Sequence, residues 1–290
     1  MDNLSFILVL ISVFTHAYWN YLIKSSENKD IFIALAKVSE IAIFAVPAFY
    51  FLIVTDFQML FFLLISVASA ITFLNYFFLA NAYKHGDFSL LYPVSRSSLI
   101  FLPLFAWFFI GESVDATGIT AIIFVLTGTI IMHLDSLEKS AIYNIISAIC
   151  NKGTVYALLA AMAVAGYTLW DKISVAKMEP FLYFYLYTFV IACLYSMYIR
   201  YKYSVTEIKN EWNKYKARII QVGFFNSFTY ILILKALTTS KATYVGGLRQ
   251  LSIVVGAFIG YKILGENFNR PKMIGILIII SGGSLIYFAK

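Results

Sequence analysis

The sequence predicts an all-α integral membrane protein of ten transmembrane helices in two inverted five-helix repeats. Composition, the spacing of apolar runs and internal self-similarity lead there. Of 290 residues, 61% are hydrophobic and only 13% charged, and the mean hydropathy is +0.82. Soluble domains average about half apolar and a quarter charged, so a soluble reading is excluded. A hydrocarbon core of about 30 Å takes roughly 20 apolar residues per helix, so ten spans fit only with short loops and no extramembrane domain.

Apolar length and the breaks between runs place helices at 4–23, 31–54, 59–82, 88–110 and 116–134. A second set follows at 154–176, 180–199, 217–237, 242–264 and 273–289. Runs of this length with turns of a few residues favour helices over buried strands. Longer connections fall at 135–153 and 200–216. The organisation expected is a first repeat over 1–135, a connecting loop over 136–153 and a second repeat over 154–290. The first run reads as helix 1 and not as a signal peptide, because it carries Asp2, no basic cluster and no small-residue cleavage site. Cys150 and Cys193 have neither CxxC nor metal-ligand spacing and read as packing residues.

The repeat emerges when 76–112 is laid on 230–266, an offset of 154. Ala82 then meets Ala236, Ser89 meets Thr243, and Gly111-Glu112 meets Gly265-Glu266. Helix 1 aligns with helix 6 at an offset of 148, where Ala17, Asn20 and Lys24 fall on Ala165, Thr168 and Lys172. Five helices per half is an odd number, so the second half enters the membrane upside down. Halves related in this way can exchange conformations around a midplane site, as alternating access requires.

Most of the 22 Lys and Arg residues lie on or beside the odd-numbered loops. The positive-inside rule then puts those loops in the cytoplasm and both termini outside. The net charge of +7 is therefore a topological signal, and no nucleic-acid partner is expected.

With His16-Ala17-Tyr18-Trp19-Asn20 and Lys24 on helix 1, a Gly-Glu pair closing helices 4 and 9, Pro103 upstream of Glu112 and glycine-bearing helices 5 and 10, the chain resembles the EamA-type branch of the drug/metabolite transporter superfamily. The resemblance runs over nearly the whole chain. It implies a secondary transporter moving metabolites through a central cavity, often outward, in a bacterial plasma (inner) membrane, with helices 5 and 10 as packing or dimer surfaces. Ala257 stands where the second half would match Pro103, a departure from symmetry.

Charges at bilayer depth are costly and usually face a cavity or a partner. Arg96 and Arg249 both fall near the midplane, with Gln250 aligned to Arg96. Two guanidinium groups at one cavity suit a carboxylate or phosphate, which accepts bidentate hydrogen bonds; pairing with Glu40 or backbone carbonyls is the structural alternative. Tyr92 shares a face of helix 4 with Arg96, where Pro93 removes a donor. Trp19 and Asn20 on helix 1 and Asn226 and Tyr230 on helix 8 complete the substrate-binding candidates. Trp19, Tyr92 and Tyr167 form a possible cage for a cation. Glu40 and His16 are the proton-coupling candidates, although Lys37 stands one turn before Glu40 and would pair with it. Gly256 and Gly260 form a GxxxG on helix 9, a motif for close helix packing or for a homodimer contact through helices 5, 9 or 10.

No HExxH, GxSxG, phosphate-cradling loop or paired-aspartate motif is present, so neither an enzyme nor a metal or cofactor site is expected. The function expected is alternating-access carriage, export with possible proton coupling, of a small polar metabolite that is amino acid-like and bears a carboxylate or phosphate. The alternatives are a flippase for a lipid-linked phosphate or sugar, and a carrier of organic cations.

Overall fold

A computed structural model describes residues 1–24, 26–85, 91, 94–134, 151–265 and 267–290. Twelve helices are present among these residues: α1 (Asn3–Lys24), α2 (Lys29–Ile43), α3 (Ala45–Val54), α4 (Met59–Lys84), α5 (Ser98–Ile110), α6 (Ala116–Met132), α7 (Lys152–Val175), α8 (Pro180–Lys202), α9 (Val205–Thr239), α10 (Ala242–Arg249), α11 (Leu251–Leu264) and α12 (Arg270–Phe288). Seven segments are long and apolar enough to cross a membrane, namely α1, α4, α7, α8, α9, the α10–α11 pair and α12. The bent pair α2–α3 makes an eighth, and α5 and α6 are shorter apolar helices. The chain is an all-α, multi-pass integral membrane protein.

Three predicted helices differ in detail. The run at 31–54 bends by 55° at Phe44. Pro47 lies just beyond, and its missing N–H and its ring break the ladder to the Ile43 carbonyl. The run at 242–264 is interrupted at Gln250, between α10 and α11. The connection expected at 200–216 is helical from Val205 onward. Ser204 caps α9 while Glu207 reaches back to the Ser204 N–H, a capping box that starts the helix in polar sequence. Its 35 residues span about 52 Å. That exceeds a hydrocarbon core, so the charged first turns stand in water against the α1–α2 connection, where Lys214 pairs with Glu27.

The most extensive helix pairs are α6 with α12, α1 with α9, and α4 with α7, followed by α2 with α9 and α8, α5 with α7, and α1 with α11. Close approach of α6 and α12 depends on glycine. A Cβ at Gly128 would lie 2.7 Å from the Gly275 carbonyl, and one at Gly275 would lie 2.6 Å from the Gly128 carbonyl. Side chains hold α1 to α9 through Thr15–Thr229 (2.7 Å) and Ser5 to the Ala236 carbonyl (3.2 Å). Trp170 donates to the Leu64 carbonyl at 2.9 Å, joining α7 to α4. Cys193 is exposed on α8, contrary to the packing expected of it. Cys150, Pro93, Ser89 and Glu266 lie outside the described residues.

One end of the bundle is tied shut by polar contacts between helix ends. The Met1 ammonium donates to the Ala289 carbonyl (2.8 Å), and the Asp2 carboxylate accepts from Thr239 and Ser240. Lys172, near the end of α7, donates to the carbonyls of Leu237 and Ser240 at 2.7 and 2.8 Å. Glu112 accepts from the Ala242 and Thr243 N–H groups, capping α10 from the other half of the chain. The start of α1 and the end of α7 thus meet the same end of α9, so α1 and α7 run in opposite directions. The opposite end collects Lys24, Lys29, Lys84, Lys152 and Lys202.

Candidate functional site

A cavity of about 360 Å³ lies among α1, α2, α4, α5, α7, α8, α9 and the α10–α11 break. The same elements explain why polar groups reach it. Arg249 ends α10 and Gln250 occupies the break, while Ser95 and Arg96 precede α5 at a corresponding turn. Helix interruptions of this kind are tolerated at bilayer depth where they line a cavity. Its lining includes Ile23 and Tyr83, the penultimate residues of α1 and α4, so it extends to the basic end.

Arg249 stands over the Tyr230 ring, 5.4 Å from guanidinium carbon to centroid. Tyr230 belongs to a three-ring cluster with Phe184 and Tyr187, whose centroids are 5.6–6.4 Å apart: Phe184 stacks on Tyr230 at 5.8 Å and meets Tyr187 edge-on at 5.6 Å, with Tyr187–Tyr230 at 6.4 Å. Phe184, Tyr187 and Ile191 recur at helical spacing, so α8 turns one face to the cavity. Across it, the Trp19 ring meets His16 edge-on at 5.0 Å. The buried Trp19 Nε1 donor has no partner among the described residues. Asn20 donates to the His16 carbonyl at 2.7 Å.

Glu40 is 2% exposed and four-way bonded. Lys37 Nζ lies 2.9 Å from Oε1 and 3.2 Å from Oε2, Asn226 donates to Oε1 at 2.9 Å, and Ser227 donates to Oε2 at 3.4 Å. The carboxylate thus pairs with Lys37 on its own helix and clamps α2 to α9. Pairing of the arginines with Glu40, one of the expected alternatives, is not seen among the described residues.

The structure brings together most of the residues singled out from sequence. Arg96, Arg249, Gln250, Trp19, Asn20, Asn226, Tyr230, Glu40 and His16 all line this cavity. Tyr92 lies outside the described residues. Tyr167 faces the cavity too, whereas Asp171 is buried and accepts from Tyr183 at 2.8 Å. Lys24 lines a neighbouring groove together with His16 and Asn20, and not the cavity itself. Sequence reasoning missed Phe184, Tyr187, Asn75 and Tyr76. The i, i+3 spacing of Phe184 and Tyr187 was the available signal, hidden in a helix aromatic on every side.

Residues 151–288 match the EamA-like transporter family. Over 140 residues the chain is 26% identical to a protein of Rickettsia prowazekii (strain Madrid E) named S-adenosylmethionine uptake transporter; the alignment takes in 48% of this chain and 46% of that one. The chain thus spans about half the length of that relative. A solved crystal structure aligns with 98% of this chain and 96% of its own at a TM-score of 0.69 and 15% identity, which shows a common fold over the full length. Residues 151–288, a little under half of the chain, thus resemble the EamA-like transporter family, and together with the membrane helices and the polar cavity this match supports a small-molecule transporter and not an enzyme.

Proposed function

We propose that the protein carries an amino acid-like metabolite bearing a carboxylate, with the anionic part held by Arg96 and Arg249 and the remainder against the Phe184, Tyr187 and Tyr230 rings. The observation that carries this reading is Arg249 over Tyr230 at 5.4 Å in one cavity with Arg96. A guanidinium supplies paired donors for a carboxylate, while an adjacent ring face suits a planar or cationic group on the same molecule. The bacterial relative named for S-adenosylmethionine supports that class, because its namesake joins an amino acid to a sulfonium and a purine. A cavity of about 360 Å³ is within the range of small-molecule sites. Two arginines on its lining, with the Glu40 carboxylate there already paired to Lys37, weigh against a simple organic cation.

The architecture supporting this is ten spans in two inverted repeats, with α2–α3 and α10–α11 each serving as one span and α5 and α6 as the shortest. Exchanging the halves converts the α1–α9 pair into α7–α4 and the α1–α11 pair into α7–α5, and leaves α6–α12 and α2–α8 unchanged; all of these pairs occur. Both Gly-Glu pairs follow the same rule, since Gly111 and Gly265 end α5 and α11 with left-handed φ of 66° and 68°. With the basic end cytoplasmic, in a bacterial inner membrane, the cavity is inward-open and the end around Asp2 and Glu112 is the closed outer gate. The lysine-paired Glu40 is a brace, leaving His16 as the proton-coupling candidate.

A thermal-shift screen of purified protein tests this, because a ligand raises apparent stability by mass action. Amino acids, S-adenosylmethionine, organic acids, phosphorylated metabolites and organic cations would be compared on the native protein and on Arg96→Gln and Arg249→Gln. Stabilisation by carboxylate-bearing ligands that vanishes in either variant is the expected result. Stabilisation by simple cations surviving both changes would sink the reading. Uptake and efflux from vesicles then give the direction, which the relative's name makes import and the sequence reading made export.

A further inference from the structure

We propose that the groove between α1 and α11 at the basic end binds the headgroup of an anionic phospholipid, whichever metabolite the central cavity carries. The groove measures about 350 Å³ and shares His16, Asn20, Arg96 and Ser252 with the cavity as a common wall. Its mouth is basic. Lys24 lies in the last turn of α1, His133 caps α6 and Lys272 is the third residue of α12, and no Asp or Glu is among the described residues lining it. All three sit at helix ends, the depth at which lipid phosphates meet a membrane protein.

Its floor is apolar, formed by Ile253, Ala257 and the GxxxG of α11. A Cβ built at Gly256 meets nothing within 4 Å, so this glycine does not serve close helix packing and leaves bare backbone facing a notch. Cations above an apolar trough complement an anionic amphiphile: the phosphate takes the lysines and an acyl chain takes the notch. A soluble phosphate would satisfy only the upper half.

Native mass spectrometry of the purified full chain tests the assignment, with phosphatidylglycerol, phosphatidylcholine and glycerol 3-phosphate as probes. Phosphatidylglycerol should be retained over phosphatidylcholine on the order of tenfold, two lysines near a headgroup being sufficient for that. The Lys24→Gln/Lys272→Gln variant should lose the preference, and Gly256→Leu should lose retention of phosphatidylglycerol while unfolding at the native temperature without lipid. Equal retention of the two lipids by the native protein, or a preference unchanged in the lysine variant, would overturn the proposal. Displacement of phosphatidylglycerol by glycerol 3-phosphate, with Gly256→Leu silent, would overturn it in favour of a soluble anion. None of these variants alters a residue of the central cavity, so the metabolite screen can fail or succeed independently.

Discussion

The side-chain amide of Gln250 donates to the main-chain carbonyl of Arg96 at 3.4 Å, and these two residues are 154 positions apart, the offset of the proposed repeat. In the proposed inverted repeat these two residues would be equivalent, and they touch in space, each beside a helix interruption. A contact between equivalent breaks sits where a two-fold axis relating the halves would pass.

Gln250→Ala should therefore affect transport more than stability. The bond is long, so its loss should shift unfolding by no more than about 1 kcal/mol. Transport should fall severalfold, because the variant uncouples the breaks about which the halves would move. Parallel denaturation and vesicle transport assays check this, and a variant with native transport would remove the contact from the mechanism.

Glu40→Ala should be the most destabilising single change in the cavity wall. It strands Lys37, 12% exposed, and the Asn226 amide beside a site 2% exposed. Removing one partner of a buried pair costs about 3–5 kcal/mol, and replacing both with apolar groups recovers much of it. Lys37→Met/Glu40→Met should accordingly unfold closer to the native protein than Glu40→Ala does. Glu40→Gln, whose amide oxygen still accepts from Asn226 and whose NH2 can donate to the Ser227 hydroxyl in place of accepting from it, should retain the pH dependence of transport; loss of that dependence would restore Glu40 as the coupling group.

The closed end should loosen in acid. The Gly118 N–H and then the Tyr244 hydroxyl hold the Asp115 carboxyl below its usual range. A lowered folded pKa means the contact is fully present above the unfolded value, about 4, and fades as pH falls through the folded one. Tyr244 also lies 2.9 Å from the Lys290 carbonyl, so its proton is shared across the end of α12. Tyr244→Phe at neutral pH should imitate acidification, raising hydrogen exchange around Ala242 and Thr243. Unchanged protection there would mean that Glu112 alone holds the gate.

What could be read from sequence divides along physical lines. Apolar length located each hydrophobic run because a bilayer imposes it, and intramembrane charge located Arg96, Arg249 and Glu40 because burying charge is expensive. The 55° bend after Phe44 was missed although Pro47 announced it, since hydropathy is blind to hydrogen-bond donors. The polar start of α9 was missed for the converse reason: Ser204 and Glu207 cap a helix that no apolar count would find. The close packing expected of Gly256 within the chain is not found there, because small residues permit close packing without requiring it. Phe184 and Tyr187 went unnoticed among rings facing every direction, and only packing selects the face turned inward.

Those rings carry the last prediction. Phe184, Tyr187 and Tyr230 converge within 5.6–6.4 Å of one another, and Arg249 rests on one of them. If Tyr230 supplies a ring face, Tyr230→Phe should bind a carboxylate-bearing ligand nearly as well as the native protein, since the face survives. Tyr230→Ala should lose about tenfold, the scale of a desolvated cation–π contact with the positioning of Arg249 removed as well. If the hydroxyl matters instead, Tyr230→Phe will fall as far as Tyr230→Ala. Titration of the three proteins with one ligand from the screen separates these cases, and equal affinity throughout would place the ligand away from the rings.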